Sequence, residues 1–205
     1  MKDRSPRAFT LVEMIVVIAV IIALSGLVAT GAVIASRNAS RNRALGEMKE
    51  MAGALSDYKR DNGSYPQTSD TDLLDPQKHF DPASGSDSVL YQKANRDLYK
   101  ALTGDTNLTG QRTLGANSYH TFPARQLSIV NGSVRYIQDP FGYCYGYSTA
   151  GAKAEAYYQS QIRTDPSIPR PSQTAGFDPD FDLWSTAGGT TATQQAKWLK
   201  KWGNN

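Results

Sequence analysis

The chain has 205 residues, of which 40% are hydrophobic, and its formal net charge at pH 7 is only +3. This length favours a single domain with an appendage over two domains, and the weak, dispersed positive charge argues against a nucleic-acid-binding protein. Cys144 is the only cysteine, so an intramolecular disulfide is excluded and packing must stabilise the fold.

An almost wholly apolar segment lies near the N-terminus, in PRAFTLVEMIVVIAVIIAL. Residues 14–35 contain no charged side chain, and this length is close to the roughly 20 apolar residues that a helix needs to cross the hydrocarbon core of a bilayer. The segment therefore predicts a membrane-spanning helix. The other interpretation is a secretory signal peptide that is cleaved before Gly26.

Glu13 argues against a signal peptide, because an acidic residue within a membrane costs roughly 2.5–3.5 kcal/mol on insertion scales. Cleavage between Ala8 and Phe9 would free an α-amine four residues before Glu13, at the spacing of neighbouring positions on a helix. The same two charges could also pair between neighbouring subunits. We therefore predict that Glu13 sets the axial register of an assembly.

The segment RAFTLVEMIVVIAVIIAL resembles the class III leader of type IV pilins and type II secretion pseudopilins. The match includes the basic leader, the cleavage junction, Phe9 and Glu13, although Ala8 stands where the family nearly always has glycine. The resemblance implies that a prepilin peptidase removes residues 1–8 on the cytoplasmic face and that Phe9 is then N-methylated. It also implies that residues 9–35 form a transmembrane and assembly helix.

Residues 36–62 are predicted to continue this helix in amphipathic form. Its apolar residues recur at helical spacing and are predicted to pack on the protein's own sheet. They are Leu45, Met48, Ala52, Leu55 and Tyr58. The Asn62-Gly63 pair, followed by Pro66, predicts that the helix ends near Asn62.

Residues 63–205 are predicted to form a globular head. Its first part, residues 66–125, is polar and contains a predicted helix over 88–102 that ends at Gly104. Strands are predicted near 126–130 and 133–137, joined by a hairpin turn at Asn131-Gly132. A third strand is predicted over 143–148.

The segment DPFGYCYGY resembles a second signature of the family, the Asp-Pro-Trp-Gly turn that leads into a tyrosine-containing strand in major pseudopilins. Phe141 replaces the tryptophan of that signature. We predict a tight turn fixed by proline and glycine, followed by tyrosines that alternate between the two faces of the strand. The structural signature comprises Asp139, Pro140, Gly142, Tyr145 and Tyr147, together with Trp184 in the later segment FDLWSTAGG.

The C-terminal segment QQAKWLKKWGNN places Trp198 and Trp202 one turn apart if it forms a short helix. We predict that both tryptophans pack onto the sheet as a clasp on the final loop. An exposed docking patch is the alternative.

The sequence contains no recognisable catalytic motif, and we predict a protein that is not an enzyme. His79 and His120 lack motif partners, and Cys144 lies in a predicted strand.

No cofactor is expected. Calcium stays open because major pseudopilins often bind it after the strand that contains the Trp-Ser pair. Here residues 190–196 contain no carboxylate, and Asp178, Asp180 and Asp182 would point to one side of a strand.

These patterns predict an α+β fold of the type IV pilin-like kind. A long N-terminal helix packs on a small antiparallel sheet, with an inserted helical and loop region and a short C-terminal helix. The resemblance implies a type II secretion pseudopilin, a structural subunit that crosses the bacterial inner membrane once, with its head in the periplasm, before it joins a periplasmic filament.

The implied partners are further copies of the chain in a helical homopolymer, other pseudopilins, the prepilin peptidase, the inner-membrane secretion platform and the membrane itself. One alternative is a type IV pilin for adhesion, motility or DNA uptake. A different class of protein is a secreted enzyme or binding domain behind a removable signal peptide.

Overall fold

A computed structural model describes residues 10–170, 172 and 174–202, with the backbone alone for residues 27–31. The contacts divide the chain into two compact units, one that ends at Ser40 and one that begins at Arg41. The predicted leader over residues 1–8 and the predicted junction between Ala8 and Phe9 lie outside the described residues.

The first helix, α1, runs from Leu11 to Asn62 and continues through the predicted boundary at residue 35. Its end agrees with the prediction. Gly63 adopts a left-handed conformation with φ of 81°, and its N–H donates to the carbonyl oxygen of Lys59 at 2.7 Å. Glycine suits this position because it lacks the Cβ that disfavours positive φ in other residues.

Within the second unit, α1 buries one face against the head. The buried apolar side chains on this face are Ala44, Met48, Met51, Ala54 and Leu55. Their spacing follows the helical repeat, which confirms the prediction that this stretch packs on its own domain. Of the predicted positions, Met48 and Leu55 are buried, Ala52 and Tyr58 are partly buried, and Leu45 is exposed.

Three further α-helices follow: α2 over Ser69–Leu73, α3 over Gly85–Thr103 and α4 over Ala150–Thr164. Helix α3 confirms the predicted helix and ends at Gly104, where φ is 69°. Helix α4 was not predicted. Only Ala150 and Gly151 of this helix are buried, so its sequence carries little of the apolar periodicity by which a helix is recognised.

The strands form two small antiparallel sheets. Strands β1 (Leu127–Val130) and β2 (Ser133–Ile137) form the predicted hairpin, and its turn residues Asn131 and Gly132 have φ of 51° and 75°. The second sheet has the order β3-β4-β5, formed by Gly146–Ser148, Asp182–Ser185 and Leu199–Lys200. The predicted strand over 143–148 is shorter than expected, because Cys144 forms only an isolated bridge with Gln138.

The core of the head consists of two hydrophobic clusters. The larger one joins the buried face of α1 to α3 and to residues of both sheets, including Ile137 and Leu183, and it also contains Tyr145, which directly precedes β3. The smaller one contains Leu74, Tyr91, Ala94, Cys144, Trp184 and Trp198. Helices therefore pack against small antiparallel sheets, and the chain has the α+β fold that the sequence predicted.

Gly146 provides a direct test of the packing in β3. A Cβ at this position would overlap the indole ring of Trp184. We expect Gly146→Ala to lower the free energy of unfolding by about 1–3 kcal/mol, the usual cost of overpacking a core. Denaturant titration of the full chain, followed by tryptophan fluorescence, measures this effect, because all three tryptophans lie in the head.

Gly53→Ala is the matched control. Gly53 is exposed in α1, and a Cβ added to it would have no heavy atom within 4 Å beyond its own helical turn. Alanine there should raise stability by roughly 0.5–1 kcal/mol, since it restricts the unfolded chain more than glycine does. An equal response of the two variants would contradict the packing that we describe for Gly146.

Candidate assembly site

The first unit presents an apolar helical surface to its surroundings. The described large hydrophobic side chains of α1 before Ser40 are half or more exposed, from 50% for Val17 to 75% for Leu11. They are Leu11, Val12, Met14, Ile15, Val16, Val17, Ile18, Val20, Ile21, Ile22, Leu24, Val33 and Ile34. Exposed apolar surfaces of this extent are typical of sites of interaction with proteins or membranes.

The prediction of a membrane span receives no direct support from the structure. Among the described residues, no helix combines the length and the apolar character that crossing a membrane requires.

Glu13 closes a capping box at the start of α1. The backbone N–H and the hydroxyl of Thr10 donate to Glu13 Oε2 at 2.8 and 2.9 Å. The Glu13 N–H donates in return to Thr10 Oγ1 at 3.2 Å. This reciprocal pair satisfies donors that the first turn of a helix otherwise leaves unbonded. Sequence reasoning missed it, although the Thr-x-x-Glu spacing was the signal.

The predicted pair between the Phe9 amine and Glu13 lies partly outside the described residues and stays a prediction. The capping box shows that Glu13 also has a role within one subunit, where it bonds to Thr10 at the start of the helix. Both bonds from Thr10 converge on Oε2 of the carboxylate.

A second carboxylate of α1, Glu47, joins the helix to the head. Glu47 is only 6% exposed, its Oε2 accepts from the Tyr145 hydroxyl at 2.7 Å, and its Oε1 contacts Arg43 Nε at 3.1 Å. Burial and the adjacent carboxylate raise the pKa of Tyr145, so the phenol keeps its proton and acts as donor. Sequence reasoning identified Tyr145 but not Glu47, whose helical position gave no sign of burial.

The predicted turn at Asp139 is present and is organised by the Asp139 carboxylate. Its Oδ1 accepts from the N–H groups of Phe141 and Tyr143 at 2.9 and 2.8 Å. Gly142 donates to the Asp139 carbonyl at 2.9 Å and adopts φ of 85°. Pro140 occupies the position where its fixed φ favours a tight turn. Burial raises the pKa of Asp139.

The same carboxylate connects two signatures that are distant in the sequence. Asp139 Oδ2 accepts a hydrogen bond from the Ser185 hydroxyl in β4, and Ser185 follows Trp184 directly. The structure therefore brings together the turn in DPFGY and the strand in FDLWS, both of which the sequence singled out separately.

Tyr145 and Tyr147 do not alternate between faces, contrary to the prediction. Both belong to the larger core cluster, and the Tyr147 hydroxyl donates to the Pro66 carbonyl at 2.7 Å. Residues two apart in a strand share a face. The intervening Gly146 instead packs against Trp184 of the smaller cluster.

The three tryptophans form an aromatic clasp, although the helix predicted to carry two of them is absent. A 3₁₀ turn over Ala192–Lys197 ends before Trp198, which is extended, and β5 follows. The segment forms a strand and not a helix, although its tryptophans have helical spacing. The two residues of β5 pair with Trp184 and Ser185 of β4. Trp198 is buried and Trp202 is partly buried.

The contacts of the clasp centre on Trp184. Its ring stacks on Trp198 at 5.9 Å between centroids and meets Trp202 edge to face at 5.6 Å. The indole N–H groups are also bonded: Trp184 donates to Tyr91 Oη at 2.9 Å, and Trp198 donates to the Gly189 carbonyl at 3.0 Å. The final loop is thus held by aromatic packing and hydrogen bonds.

The prediction that Asp178, Asp180 and Asp182 point to one side of a strand is wrong. Only Asp182 lies in β4. Asp178 pairs with Lys201 at 2.8 Å and Asp180 with Lys59 at 3.5 Å, so bends direct these side chains to separate partners. In the described part of the chain, no group of three or more His, Cys, Asp or Glu side chains is arranged to hold a metal ion.

The residues considered for catalysis have structural contacts. His79 Nδ1 lies 3.1 Å from the Asp75 carbonyl oxygen, and the His120 ring packs edge to face on Phe122. Cys144 is buried, and burial raises the pKa of its thiol, which opposes formation of a nucleophilic thiolate.

No protein-family model, curated protein or solved structure matches the chain. The function of the chain is therefore inferred from its own residues and contacts and from the resemblance of its N-terminal and DPFGY segments.

Removal of the Tyr145 hydroxyl tests the connection between α1 and the segment that directly precedes β3. In Tyr145→Phe the buried Glu47 carboxylate loses its phenol donor, and we expect unfolding to become easier by about 1–3 kcal/mol. Tyr157→Phe is the control, because Tyr157 is 68% exposed. Denaturant titration should show a shift for the first variant alone, and an unchanged midpoint for Tyr145→Phe would refute the role of this bond.

Asp182 should make the stability of the head depend on pH. Its carboxyl group is fully buried, Oδ1 has no hydrogen-bond partner among the described residues, and burial raises its pKa to about 7. An unfolded aspartate has a pKa of about 3.9. The protonated group therefore contributes stability that is complete below about pH 4 and is lost as the pH rises to about 7.

Asp182→Asn should remove this contribution to the pH dependence. Between about pH 4 and 7, the parent should lose stability relative to the variant as the pH rises. The difference between their free energies of unfolding should change by at most about 1.4 kcal/mol per pH unit. Asp180→Asn, at a side chain that is 53% exposed, should follow the parent. Parallel curves for Asp182→Asn and the parent would contradict the assignment.

Proposed function

We propose that the chain is a pilin-like structural subunit, a type II secretion pseudopilin, that polymerises through its N-terminal helix. One observation carries the proposal: an exposed apolar helix carries Glu13 in its first turn and follows a segment that resembles a prepilin cleavage junction. The apolar side chains require lipid or other helices around them, and a carboxylate among them requires a positive partner.

The proposed sequence of events follows from these requirements. A prepilin peptidase cleaves after Ala8, and the chain remains in the bacterial inner membrane as a single-pass protein with its head in the periplasm. The secretion platform then adds it to a periplasmic filament, which also contains other pseudopilins. Within the filament, the Phe9 amine of one subunit pairs with Glu13 of its neighbour and selects one axial register.

The head supports a mechanical role. Its hydrophobic clusters, the capped turn at Asp139 and the tryptophan clasp all contribute to packing. A subunit of this kind transmits force and presents a surface, and it does not need to transform a substrate. The single cysteine favours a pseudopilin over a type IV pilin, because the C-terminal disulfide pair of many pilins requires two.

Glu13→Gln separates the proposed assembly role from the local capping role. Glutamine also serves in the capping box, so α1 keeps its first turn, whereas the neighbouring amine loses its negative partner. We expect cross-linked ladders of processed protein and secretion to fall about tenfold or more, since an unpaired charge in an apolar environment is costly. The tryptophan-detected melting temperature of the head should not change.

Glu50→Gln, an exposed acidic residue later in α1, is the matched control and should retain ladders and secretion. Sequencing of the processed N-terminus provides the second measurement, with Phe9 expected as the first residue. A start at Gly26 would indicate a signal peptide. Normal amounts of processed Glu13→Gln protein with undiminished ladders would show that this charge does not direct assembly.

A further inference from the structure

Three arginines follow the apolar segment and have no role in the function proposed so far. They are Arg37, Arg41 and Arg43, and no acidic residue occurs between the apolar segment and Glu47. Positive residues next to a membrane span usually lie on the cytoplasmic side. With the head in the periplasm, as we propose above, these arginines lie on the opposite side and require another explanation.

The structure distinguishes two of these arginines. Arg43 pairs with the buried Glu47 and contributes to the packing of the head. Arg41 is exposed, and its Nη1 donates to the backbone carbonyl of Lys197 at 3.2 Å. This bond brings together two cationic residues that are 156 positions apart in the sequence.

The two cationic residues lack acidic partners. Within the described residues, neither Arg41 nor Lys197 forms an ion pair with a carboxylate, and Lys197 is exposed. The bond from the Arg41 side chain to the Lys197 backbone keeps the two residues adjacent, and the lysine side chain is long enough to reach an anion that binds beside the guanidinium group.

We propose that Arg41 and Lys197 bind the phosphate of an anionic membrane phospholipid. A guanidinium group presents several N–H donors in a planar fork that matches phosphate oxygens, and only Nη1 of Arg41 is engaged with the Lys197 carbonyl. The lysine ammonium adds a second positive charge. This inference rests on the proposed membrane anchoring, and it assigns a lipid contact to the head.

The sequence supports a lipid over a free anion. Arg41 follows Ala35, the last residue of the apolar segment, after only a short polar stretch. Basic residues immediately beside a membrane segment are attracted to anionic headgroups within a Debye length of the surface. A phosphate that belongs to the membrane is therefore available at this part of the chain, whereas a free anion must be captured from solution.

Acetylation of lysines in the full chain tests the proposal at the level of single residues. The chain is reconstituted in nanodiscs of phosphatidylcholine alone or of an equal mixture with phosphatidylglycerol. Acetylation rates are read by mass spectrometry. We expect acetylation of Lys197 to slow about fivefold in the mixed discs. Lys93, an exposed lysine in α3, is the internal control and should react equally in both.

Variants of the arginine identify its contribution. Arg41→Gln should remove most of the protection of Lys197, and Arg41→Lys should restore part of it, because lysine keeps the charge but not the fork. Arg112→Gln, at an exposed arginine after α3, is the matched control and should leave the protection unchanged.

Three results would overturn the proposal. Lys197 could react equally in the two kinds of disc, Lys93 could be protected as strongly as Lys197, or inorganic phosphate added to phosphatidylcholine discs could give the same protection as phosphatidylglycerol. Failure of the chain to co-purify with either disc would instead contradict membrane anchoring, and the lipid contact with it. Incorporation and acetylation are measured separately, so the two failures are distinguishable.

Discussion

The hydrogen bonds of the Asp139 carboxylate organise much of the head. The group is buried, and an ionised carboxylate without donors in such a place costs several kcal/mol. Two backbone N–H groups of its own turn and the Ser185 hydroxyl of β4 supply those donors. The turn that leads toward β3 is therefore connected to β4, and Trp184 beside Ser185 becomes the centre of the aromatic clasp that holds β5.

The two units of the chain meet different physical requirements. The head satisfies its apolar side chains internally, through two clusters and the buried face of α1 after Arg41. The described apolar side chains before Ser40 stay exposed along the helix. Stability of the head therefore comes from its own packing, whereas the described apolar side chains of the N-terminal helix gain no comparable burial. In the function that we propose, lipid or neighbouring subunits cover these side chains.

Two glutamates of α1 illustrate how one residue type serves different purposes. Glu13 is exposed and accepts from Thr10, which stabilises the first turn of the helix. Glu47 is buried and has two specific partners, Arg43 and Tyr145. The first leaves one carboxylate oxygen outside the capping box and available to another molecule, while the second is fully committed to the head. The assembly contact that we propose uses the first of these glutamates.

The sequence by itself determined the elements whose signals are local. The end of α1 at Asn62, helix α3, the Asn131-Gly132 hairpin and the turn at Asp139 depend on nearby glycines, prolines and apolar spacing. Only the tertiary structure decided which distant groups meet: Ser185 with Asp139, Tyr145 with Glu47, and the tryptophans with one another. It also replaced the expected C-terminal helix by β5, because β4 offered an unpaired edge, and added α4, whose exposed faces carry no apolar pattern. Burial and strand pairing are properties of the folded chain as a whole, so no short segment encodes them.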